Sequence, residues 1–112
     1  MTQIKHEMTH SQWLAYGSEL FGDDIYQWRF VCPSCGYIAR VQEWIDAGAP
    51  KSTIAFSCVG RWHKTARPAF GSPDLPGPCD YAGGGLFRLN PVRVTHPDGK
   101  TTDAFAFAEP PR

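Results

Sequence analysis

The pentapeptide Cys32-Pro33-Ser34-Cys35-Gly36 constrains this chain more than any other stretch, because a tight turn aims its two thiols at a single point. Gly36 can take the positive φ that a Cβ would resist, Pro33 pre-sets φ inside the turn, and backbone N–H groups are left to face the sulfurs. This is half of a tetrahedral metal site, yet no second Cys-x-x-Cys follows. The other two cysteines stand singly, with 22 residues between Cys35 and Cys58 and 20 between Cys58 and Cys79.

Separation along the chain is no obstacle, since two strands brought side by side can each present one thiolate. Cys32, Cys35, Cys58 and Cys79 are therefore expected to hold zinc as a four-thiolate site. His63, five residues after Cys58, is an alternative ligand that would replace Cys79. A redox pair at Cys32 and Cys35 is the weaker reading, because Gly36-Tyr37-Ile38 is a poor start for the helix such a pair needs. The N-terminal "MTQIKHEMTHSQW" has no apolar leader and no apolar run approaches a membrane span. A cytoplasmic protein is expected, and reducing conditions favour metal ligation over disulfides.

A chain of 112 residues, 42% apolar and 13% aromatic, has the material for one core, so a single domain over 1–112 is expected. Thr9 and Gln12 fit a capping box, and Trp13, Leu14, Tyr16, Leu20 and Phe21 mark one face of a helix over about 10–21, stopped by Gly22 and weakened by Gly17. "IYQWRFV", residues 25–31, reads as a strand entering the first cysteine pair. After the pair, Val41, Trp44 and Ile45 give a second short helix, ended by Gly48 and Pro50. "STIAFSC" reads as a strand leading to Cys58, with further strands at 86–89, 92–95 and 102–107 and a turn at Pro97-Asp98-Gly99 joining the last two. There is no evident internal repeat. The fold class expected is α+β: a small antiparallel sheet with an N-terminal helix and a second short helix.

Residues 61–78 have no periodicity and several prolines, and read as a long inserted loop whose two ends are tied to the same metal ion. Arg61, Trp62, His63, Lys64, Arg67 and Phe70 mix base and aromatic character without an acid, and are the candidate partner-binding residues. Eleven Lys and Arg balance eleven Asp and Glu, so no overall field draws the chain to nucleic acid, although residues 29–67 sum to +4. A protein partner is favoured over nucleic acid on that ground, with no membrane role. "HEMTH", His6 to His10, spells a zincin motif, but the helix begins after His6 and no third ligand is evident. Gly83-Gly84-Gly85 lacks the lysine of a phosphate loop and reads as a close backbone approach. No nucleophile motif is visible.

"CPSCG" is similar to the knuckle of zinc ribbons, with a departure in the second half, which is divided. "WLAYGSELFG", "WRFVCPSCG", "AGAP", "FSCVGR" and "CDYAGGGLFRLNPV" together resemble a small family of phage and prophage proteins. That resemblance implies phage origin and action in the bacterial cytoplasm. The expectation is a non-enzymatic zinc module, a phage accessory protein that binds or inhibits a host or phage macromolecule, with an anti-defence role as one form. The alternative is a nucleic-acid-binding zinc ribbon using the 61–78 loop, and a thiol redox protein or other enzyme is the third reading.

Overall fold

A computed structural model of the chain describes residues 4–63, 78–84 and 89–108. Within these residues the protein is α+β, with two α-helices and two three-stranded sheets. In chain order the elements are β1 (His6–Thr9), α1 (His10–Phe21), β2 (Arg29–Val31), β3 (Ile38–Arg40), α2 (Val41–Asp46), β4 (Val92–Thr95), β5 (Thr101–Ala104) and β6 (Ala106–Phe107).

The local signals act as local chemistry dictates. The capping box at the start of α1 forms, with the Thr9 hydroxyl accepting from Gln12 N–H at 3.1 Å and the Gln12 side chain accepting from Thr9 N–H at 2.9 Å. Gly17 sits in mid-helix for a packing reason: a Cβ there would lie 2.3 Å from the Trp28 ring, so the missing side chain lets the indole lie against the helix. α2 starts with the Glu43 carboxylate accepting from Arg40 N–H at 2.8 Å, and Gly48 follows it with φ of 79°. The turn between β4 and β5 closes through Gly99, φ 87°.

The strands depart more from the pattern. One sheet has the order β1-β4-β5, in which β1 pairs parallel with β4 (His6 opposite Val92) and β4 pairs antiparallel with β5. The other has the order β3-β2-β6, all antiparallel. The expected strand over 102–107 is divided: β5 belongs to the first sheet, β6 to the second, and the buried Phe105 between them is where the chain changes sheets. The expected strand over 25–31 shortens to β2, because Ile25–Gln27 form a 3-10 turn capped by the Asp24 carboxylate. "STIAFSC" is not a strand. Lys51–Thr53 are a 3-10 turn, and Ala55 takes φ of 58°, which ends any extended run there. Residues 86–88 of the expected strand at 86–89 lie outside the described residues.

The core is aromatic, as the composition requires. Trp28, Phe30, Trp44, Tyr81, Phe105 and Phe107 are buried with Val59 and with Cys32, Cys58 and Cys79. Phe107, near the end of the described chain, stacks at 5.0 Å on Phe30 and at 5.4 Å on both Trp13 and Tyr16, so β6 ties α1 to the second sheet. The Trp44 indole donates to the Ser57 carbonyl at 2.9 Å, and the buried Asn90 amide donates to the Phe56 and Asp103 carbonyls, both at 3.0 Å. These bonds fix the irregular segment 51–57 without a ladder, which is how its polar backbone is satisfied inside the fold. No helix is long and apolar enough to cross a membrane among the described residues.

Candidate metal centre

The four cysteines come together. Their Sγ atoms all lie within 4.8 Å of one another, with Cys32 to Cys79 and Cys35 to Cys58 at 3.8 Å. Zn–S bonds of about 2.3 Å in a tetrahedron require sulfurs about 3.8 Å apart, so two of the edges already have the length a metal would set. The same distance is far beyond the roughly 2.05 Å of a disulfide, and none of the four cysteines is in one. Three are buried and Cys35 is half-buried, so a metal bound here would be largely screened from water.

The arrangement is two matching knuckles, one intact and one divided. In the first, Cys32 N–H donates to the Tyr37 carbonyl at 3.0 Å; in the second, Cys58 N–H donates to the Tyr81 carbonyl at 2.9 Å. Tyr37 N–H donates to Cys35 Sγ and Tyr81 N–H to Cys79 Sγ, each at 3.4 Å. The backbone N–H groups of Ser34 and Cys35 bond the Cys32 sulfur, and those of Gly60 and Cys79 bond the Cys58 sulfur. In these bonds to sulfur, Ser34 is answered by Gly60 and Cys35 by Cys79. Residues 61–78 are therefore inserted where the first knuckle has the single peptide bond between Ser34 and Cys35. Gly60 closes that break by contact: a Cβ on it would meet the Cys79 carbonyl oxygen at 2.2 Å.

The electrostatics follow from crowding four thiols together. Cys58 is lowered to about 5, chiefly by the hydrogen bond from the Cys32 thiol and further by the Gly60 and Cys79 N–H groups. Cys32 is pushed up by that same bond and by burial, and Cys79 is raised to about 12, first by burial and then by the neighbouring Cys58 charge. Burial and crowding thus oppose forming several thiolates at once, and a divalent cation would release protons as it binds. The Tyr37 hydroxyl donates to Glu43 at 2.7 Å and is raised to about 12 by that carboxylate, so the first knuckle is also tied to α2.

Of the other residues singled out in the sequence, His63 is exposed and lies outside the group whose ligand atoms converge. Arg61 is exposed, with its guanidinium 5.5 Å over the Trp62 ring, while Trp62 is half-buried against the core. Lys64, Arg67 and Phe70 lie outside the described residues. "HEMTH" has no zincin geometry: His6 and Glu7 are on β1, His10 opens α1, and Glu7 instead meets Arg93 at 4.0 Å. Gly83 does make a close approach, since a Cβ would meet the Phe56 carbonyl at 2.0 Å. Tyr37, Tyr81 and Gly60 were not marked as site residues by the sequence. The signal was present as the repeated Cys-x-Tyr of Cys35-Gly36-Tyr37 and Cys79-Asp80-Tyr81, a short internal repeat hidden by the insertion before its second copy.

A family model described as VVA0879-like matches residues 9–108, from the N-cap of α1 to just beyond β6, and the chain belongs to that family. No curated protein and no solved structure matches it.

Proposed function

We propose that this member of the VVA0879-like family is a non-enzymatic, zinc-stabilised binding module, with Cys32, Cys35, Cys58 and Cys79 as the complete ligand set. The observation that carries the reading is the convergence of four cysteine sulfurs within 4.8 Å, none in a disulfide, on two turns with matching hydrogen bonds. Soft thiolates in tetrahedral array favour zinc or iron, and four protein ligands leave no position for a metal-bound water or substrate. The metal then acts on the fold: it joins the strand-flanked knuckle to the Cys58 and Cys79 segments, which no sheet ladder connects to it.

The function lies in what this frame presents. Residues 61–78 join the Cys58 segment to the Cys79 segment, so metal binding would fix both ends of that stretch. We assign partner contact to this segment, with Arg61 and His63 exposed at its start, and favour a protein over nucleic acid because the chain has no net charge. On this reading the module acts in an infected bacterium, as an accessory protein that binds or inhibits a host or phage macromolecule, with anti-defence activity as one form; the resemblance to phage proteins supports it. The test is metal analysis of the purified protein followed by recovery of its tagged form from infected-cell lysate with and without nuclease. Stoichiometric zinc and a nuclease-resistant protein partner support the reading. A partner lost on nuclease treatment, bound with steep salt dependence, would transfer it to nucleic-acid binding.

A further inference from the structure

Away from the cysteines, α1, α2, the segment 51–55 and both sheets line a half-open cavity of about 290 Å³. Its inner wall is apolar, formed by Phe30, Val41, Ile54, Ala55, Val94 and Ala104. Its polar groups are Lys51, His10, His96 and Thr102, and none of its lining residues is acidic. The two imidazoles lie together, ring centroids 4.9 Å apart, with His96 Nε2 2.9 Å from the Thr102 hydroxyl, while Lys51 is exposed.

Two further observations single this cavity out. Trp13 lines it, and among the described residues the buried Trp13 indole N–H has no acceptor. The Trp28 and Trp44 indoles both donate to backbone carbonyls at 2.9 Å, as buried tryptophans ordinarily do, so Trp13 departs from the rule the same core obeys. The second is Ala55, which among the described residues is the non-glycine held at positive φ; Phe105 N–H donates to its carbonyl at 2.7 Å. Backbone held in this region despite a side chain is concentrated at binding sites, where surrounding structure over-determines it.

We infer that this cavity is a binding site for a small organic anion, an apolar body the size of a single ring or branched aliphatic chain carrying one carboxylate. The volume is at the lower end of ligand pockets and suits a body of that size. The apolar wall takes the body, with the Trp13 ring beside it, and Lys51 with the two imidazoles supplies charge and donors to the carboxylate. The inference is independent of the metal reading, since no cysteine lines the cavity.

Phenylacetate is the probe, and phenylacetamide its neutral counterpart of the same shape. Metal-loaded, isotope-labelled full-length protein is titrated with each while the Trp13 indole N–H resonance, assigned with Trp13→Phe, is followed by NMR. A saturable shift of that resonance is expected, with transfer of magnetisation from the phenyl protons to the methyls of Val41, Ile54 and Val94. Phenylacetamide should bind about tenfold more weakly, and Lys51→Glu, an exposed change that leaves the fold intact, should weaken phenylacetate by a similar factor. The absence of a saturable shift, equal affinity for acid and amide, or contacts to other methyls would each overturn the inference.

Discussion

Replacing Gly60 with alanine separates the divided knuckle from every other property of the fold. Gly60 is not at positive φ, so alanine has no backbone objection to the site. The difficulty is steric and local: the new Cβ would lie 2.2 Å from the Cys79 carbonyl oxygen and 2.8 Å from the Pro78 carbonyl carbon, both backbone atoms without a rotamer to escape into. Ordinary contact begins at 3.4 Å, so the Cys79 backbone must retreat by about 1.2 Å. Metal–sulfur bonds tolerate about 0.2 Å, so the displacement exceeds what a bound ion can absorb. The Cys79 ligand is strained or lost, and the N–H groups of Gly60 and Cys79 can no longer both face the Cys58 sulfur. We expect zinc affinity to fall about 100-fold or more, which is roughly 3 kcal/mol, and thermal stability with it by on the order of 10–20 °C. The assay is competition with a chromogenic zinc chelator beside thermal denaturation, with Gly84→Ala as the control. Among the described residues a Cβ on Gly84 meets the Phe56 ring, at 3.7 Å, and should change stability by less than about 0.5 kcal/mol. Wild-type zinc affinity and melting in Gly60→Ala would refute the account of Gly60 as the closure of a divided knuckle.

Three further changes probe the metal and the core. Cys35→Ala should lower zinc content and unfold the protein at ordinary temperature, since structural zinc contributes on the order of 10 kcal/mol; circular dichroism with elemental analysis reads both, and a metal-free variant that melts like wild type would remove the structural role. Gly17→Ala adds about 1 kcal/mol of helix propensity but drives a methyl into the Trp28 ring, which is pinned by its bond to the Gly22 carbonyl, so urea denaturation should register a net loss of about 1–3 kcal/mol. Asn90→Asp should be worse than Asn90→Ala in the same assay. The alanine leaves the Phe56 and Asp103 carbonyls unpaired at about 1–3 kcal/mol, while the aspartate also brings a carboxylate oxygen against them. Equal stability of the two variants would show that the amide's bonds do not hold segment 51–57.

The residues the sequence marked most clearly are those whose partners are near in the chain. Thr9 finds Gln12 three residues away, and the turn through Gly99 closes within its own hairpin; such bonds are set by local backbone geometry. The strands were less legible because their partners are remote. β1 is defined by a parallel pairing with Val92–Thr95, the alternating run 102–107 is cut at Phe105 because two sheets compete for it, and "STIAFSC" looks extended by residue type but is fixed by bonds from Trp44 and Asn90.

By itself, the sequence determined the ligand chemistry: four thiols, a knuckle at Cys32–Gly36, and a long segment between the last two cysteines. Its spacing left His63 open as a substitute for Cys79, because ligand choice is a question of which atoms meet. Tertiary structure placed Cys79 and not His63 with the other three cysteines, brought Gly60 against Cys79 so that two distant segments make one knuckle, and, among the described residues, left an indole N–H without an acceptor. Thiol chemistry is carried by residue type and survives in a written sequence. The convergence of backbones separated by an insertion is a property of packing, and exists only once the chain has folded.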